Sequence, residues 1–90
     1  MEFAGLAGHD LIEQGLRDLE RGEETIPALL VSIGAPRLRR LGISVPRALP
    51  SAEHRLYALL HQIEPDAAHS RYNALLRRLV SFERALECAS

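Results

Sequence analysis

Arg37, Arg39, Arg40 and Arg47 fall within eleven consecutive positions and form the densest group of side chains here with a chemistry of their own. A guanidinium is a permanent cation with its N–H donors in a planar fork, and it grips a carboxylate or a phosphate through two hydrogen bonds at once. Residues 25–50 contain no acid to neutralise them, whereas residues 1–24 carry Glu2, Asp10, Glu13, Asp18, Glu20, Glu23 and Glu24 against Arg17 and Arg21. The cluster is therefore a candidate site for a partner or an anion. The candidates are the acidic first segment of this chain, the same segment of a second copy, another protein, or the phosphates of a nucleic acid.

A second group, His54, Tyr57, His61 and Glu64, is spaced i, i+3, i+7 and i+10 and makes one polar row on a helix. Two imidazoles and a carboxylate are metal-ligand types. Seven residues of helix put the histidines about 10 Å apart, too far for one zinc ion, so the row reads as a pH-sensitive contact surface and no metal is expected. Arg55 and His61 also make R-x5-H, which resembles the Arg-to-His spacing of the helical HEPN ribonuclease family. Leu56 belongs to the apolar face where that family carries a polar residue, and no family is assigned on this match. Glu83 falls inside an apolar stripe, where a carboxylate needs a cation from the basic middle or from another subunit unless the stripe is open to water. No nucleophile sits on a Gly-flanked turn, no glycine loop could cradle a phosphate, and no carboxylates pair on one face. Neither catalytic residues nor a cofactor are expected.

The elements that must hold these groups are helices. From Pro65 to Ala89 one period runs unbroken: Ala68, Tyr72, Leu75, Leu76, Leu79, Val80, Phe82 and Leu86 share a side, while Arg71, Asn73, Arg77, Arg78, Ser81 and Arg84 fall elsewhere. This predicts a helix over about 67–88, started by Pro65 and capped by Asp66, and about 35 Å long. It is the surface onto which shorter helices should fold, with part of its stripe left for a partner chain.

Ahead of it, residues 9–21 read as a helix with Ile12, Gly15, Leu16 and Leu19 inward, Gly15 placed for a close helix approach and Gly22 as the stop. Residues 1–8, with Phe3 and Leu6 off that face, read as a loose arm or short turn, with covering a neighbour as the alternative. Thr25 caps a helix over 26–33, with Pro27 in its first turn. Pro36 would clash with the Ser32 carbonyl, and Arg37 would enter the middle of the apolar face, so a break is expected at Gly34-Ala35. A short helix over 36–41 follows, ending at Gly42. The pair superficially resembles a helix-turn-helix, but its second member is too short to fill a major groove. Residues 43–50 form an extended loop with two prolines, and Ser51 caps a helix over 52–64 with Ala52, Leu56, Leu59, Leu60 and Ile63 on one face. Pro65 joins it tightly to the last helix as an antiparallel or sharply angled neighbour.

Ninety residues allow one domain, 1–90, and 47% apolar content with two Phe, two Tyr and no Trp gives an aliphatic core suited to helix packing. The net charge of −1 is uninformative as a total, and the exclusive use of Arg over Lys fits a GC-rich genome. The lone Cys88 cannot make an intrachain disulfide, which fits a reducing, cytoplasmic setting. No long apolar run and no basic leader suggest a membrane span or a signal peptide. The reading is an all-α bundle of four main helices plus one short one. Its expected role is that of a small non-enzymatic interaction or regulatory module, working as a homodimer or on another protein. A nucleic-acid-associated regulator using the arginine cluster is the alternative.

Overall fold

The computed structural model describes residues 5–89, and every regular element among them is an α-helix: α1 (His9–Glu20), α2 (Ile26–Arg40), α3 (Ala52–Ile63) and α4 (Ala68–Ala89). The all-α bundle is as expected, but its hub is α2 rather than the last helix, for α2 packs against α1, α3 and α4. Ala28, Leu29, Leu30, Val31, Ala35 and Leu38 bury on several sides of it. α4 spans about 33 Å of a molecule whose longest extent is 38 Å.

α2 corrects the predicted break. The segments 26–33 and 36–41 are one continuous helix through Gly34, Ala35 and Pro36. Burial of its apolar residues outweighs the hydrogen bond that Pro36 cannot donate, and the proline ring lies on the exposed side. Arg37 is accommodated because α4 presents acids to it. Gly34 is a crossing point, not a stop: a side chain there would lie 2.8 Å from Leu79 Cδ1 and 3.1 Å from Glu83 Oε2. The helix ends at Gly42, at φ 97°, where the Ile43 N–H returns to the Leu38 carbonyl at 2.9 Å.

Gly15 does what its place on the inward stripe suggested. A β-carbon there would overlap the Pro27 carbonyl oxygen and lie 2.5 Å from Val31 Cγ2, so α1 and α2 touch backbone to backbone. Thr25 caps α2 by accepting from the Ala28 N–H at 3.2 Å, and its hydroxyl donates to the buried Asp18. Gln14 Nε2 donates to the other Asp18 oxygen at 2.8 Å. Residues 5–8 form a short turn, in which Leu6 packs on the core and its carbonyl accepts from the His9 N–H at 3.2 Å. Phe3 lies outside the described residues.

The 41–51 connection is irregular as expected, yet anchored. Ile43 and Val45 are buried, and the Leu49 N–H donates to Ser32 Oγ at 2.9 Å while that hydroxyl donates to the Ala28 carbonyl at 2.8 Å. Ser51 does not cap α3 through its side chain; it sits at φ 52°. Nor does Asp66 cap α4: it is exposed in the turn, and the helix begins after it. α3 and α4 form the expected hairpin, with Tyr57 and Tyr72 edge to face at 5.7 Å and Arg71 on Glu64 at 2.6 Å.

Candidate functional site

One turn of helix turns three adjacent arginines in three directions. Arg37 faces α4, where its guanidinium lies 3.8 Å from Glu83 and 3.3 Å from Glu87. Arg39 turns to the loop and donates to the Val45 carbonyl through Nε at 3.1 Å and through a terminal nitrogen. Arg40 is exposed and makes no ion pair among the described residues. Arg47 lies beside Leu16, Leu19, Glu20 and Pro46 in a cleft of about 380 Å³ between α1 and the loop, away from the α4 side that Arg37 faces. The four therefore do not make one patch. Two acids of α1 are engaged elsewhere, Asp10 with Arg78 at 3.4 Å and Asp18 internally, while Glu20 lines the cleft with Arg47.

What Arg37 and Arg40 do share is a groove of about 340 Å³ between α2 and α4, which also holds Ile33, Leu76, Val80 and Glu83. Contacts of Gly34 with Leu79, and of Arg37 with Glu83 and Glu87, show that the two helices run in the same direction along it. Val80 is 37% exposed, and Ile33 and Leu76 are half-buried. Glu83 lies on the floor, 4% exposed. Its predicted need for a cation is met by an arginine of the basic middle, Arg37. Burial pushes the Glu83 carboxyl above its usual range, and the Arg37 and Arg40 cations oppose that rise in part.

The second predicted group is on the surface of the α3–α4 hairpin. His54, Tyr57, His61 and Glu64 are all exposed; His61 stacks on Tyr57 with ring centres 6.5 Å apart, and Glu64 holds Arg71. Tyr72 beneath them has its hydroxyl pKa raised, by burial and then by Glu53. No group of three or more His, Cys, Asp or Glu among the described residues is arranged to hold a metal ion. Arg55 pairs with Glu24 at 3.2 Å, while His61 is taken up by Tyr57, so the R-x5-H residues do not converge. Among the described residues no helix is long and apolar enough to cross a membrane.

The sequence reading left part of the α4 stripe for a partner chain but did not locate the groove, because it ended the second helix at Ile33 and so did not set Arg37 and Arg40 beside Leu76 and Val80. The usable signal was the width of the α4 stripe: Val80 lies at its edge, about 100° from Leu79, beyond the reach of a single neighbouring helix. Comparison of the chain with protein-family models, with curated proteins and with solved structures finds no match.

Proposed function

We propose that this chain is a small helical interaction module that works through the α2–α4 groove and has no chemistry of its own. The observation that carries this is the row of incompletely covered aliphatic side chains, Ile33, Leu76 and Val80, set beside the unpaired Arg40. Apolar contact supplies affinity and the cation supplies orientation, the usual division at a protein interface. Phosphate binding by the four middle arginines as a unit has less support, since Arg37 and Arg39 are engaged within the chain.

The test is affinity capture from the native host with wild type and with the pair Val80→Asp and Arg40→Glu, each confirmed folded by circular dichroism. The expected result is a protein that is retained by wild type and lost with the variants. Retention of nucleic acid instead, lost with Arg40→Glu and Arg47→Glu, would replace this reading with the phosphate-binding one.

A further inference from the structure

The rim of the groove names the chemistry of its occupant. Val80 is followed at i+4 on α4 by Arg84 and lines the groove together with Arg40, whereas Arg77, at i−3, borders a second cleft with Gly8 and Ser81. All three arginines are exposed, and none has an ion-pair partner among the described residues. Among the described residues the acids of the groove are Glu83, buried on the floor, and Glu87, joined to Arg37. The groove is thus an aliphatic slot with a basic rim. From Leu76 to Arg84 it runs about 12 Å, two turns of helix.

We infer that the occupant is an acidic amphipathic helix of a different protein, laying two turns of aliphatic side chains on Ile33, Leu76 and Val80 and its flanking carboxylates on Arg40 and Arg84. This rests on the groove being the interaction surface. Extended apolar anchors at i, i+3 and i+7 are how a helix fills such a slot, and the rim guanidiniums suit carboxylates. A second copy fits less well. An isologous contact through this face would set Arg40 and Arg84 against their own equivalents. A contact using the exposed acids of a second copy's α1 would be heterologous and would not close into a dimer.

The experiment is a selection of peptides from a randomised library in a helical scaffold on the immobilised full chain, followed by fluorescence anisotropy of the enriched peptides. Enriched sequences should place Leu, Ile or Val at i, i+3 or i+4 and i+7, with Asp or Glu on the flanks. Their affinity should fall about tenfold or more in Arg40→Glu with Arg84→Glu, and about as much in Val80→Glu. Basic enriched peptides, no enrichment, or binding that survives Val80→Glu would overturn the inference. Light scattering that gives a dimer dissociated by Val80→Glu would overturn it in favour of a second copy. If host capture is sensitive to Val80→Asp while the selected peptides are not acidic, the interaction surface stands and only its assigned partner fails.

Discussion

Replacing Gly15 with alanine, beside the same change at Gly34, measures how closely α2 is approached on its two sides. A methyl group at Gly15 would overlap the Pro27 carbonyl oxygen and lie 2.8 Å from the carbonyl carbon and 2.5 Å from Val31 Cγ2. Carbon pairs rest at about 3.5–4.0 Å, so α1 must retreat by about 1 Å, and backbone cannot step aside as a rotamer can. That retreat loosens Ile12 and Leu19 together, which are buried in the same layer. Overpacking of this kind costs about 1–3 kcal/mol, more where the obstacle is rigid, and alanine returns about 1 kcal/mol of helix propensity. The expected net loss is about 2 kcal/mol, which lowers the melting temperature by roughly 10 °C in a domain of this size. At Gly34 the obstacles are the ends of the Leu79 and Glu83 side chains, which can turn away, and propensity offsets most of the cost. Gly34→Ala should stay within about 1 kcal/mol of wild type. Urea unfolding followed by circular dichroism reads both, with Ala58→Gly on the exposed side of α3 as the propensity control. A neutral Gly15→Ala, or a Gly34→Ala that costs as much, would refute the backbone contact.

Other outcomes follow from the same contacts. The folded-state pKa of Glu83 is raised by burial, so its contribution to stability is full below the ordinary carboxylate pKa and is lost as pH rises through the folded value. Glu83→Gln should therefore be more stable than wild type at pH 7, with the gain shrinking as pH falls through the raised folded value and lost by pH about 4; a gain independent of pH in urea titrations would contradict this. Ser32→Ala leaves the Leu49 N–H without its acceptor and should cost about 1–3 kcal/mol in the same assay. Arg39→Ala removes both bonds to the Val45 carbonyl and should make residues 43–47 the first site of limited proteolysis, with α4 intact.

Three of the four helices were legible because each has one buried face and one wet one, so Ile12-Leu16-Leu19, Leu56-Leu60 and Leu75-Leu79-Phe82 each repeat at helical spacing. α2 was not, because neighbours on several sides erase its period, and Gly34-Ala35-Pro36 then resembles punctuation. The proline rule is local, and the packing that overrides it comes from residues forty positions away. The arginine cluster misled for a related reason: closeness along a helix scatters side chains around its axis. Leu76 and Val80, far from Arg40 in sequence, share the groove with it. The close approach at Gly15, the cap at Thr25 and the cation for Glu83 needed only local pattern, and the structure has them all.

The burial of α2 on several sides also settles how the molecule can come apart. No segment can peel away and leave this helix whole, since each of the other three supplies one of its walls. The amides of Leu29 to Ala35 should accordingly trade hydrogen for deuterium only when the entire chain opens, at a rate set by global stability, while the last turn of α4 exchanges through fraying. Any ligand settling between α2 and α4 should then slow the innermost protons of the molecule as well as those it covers.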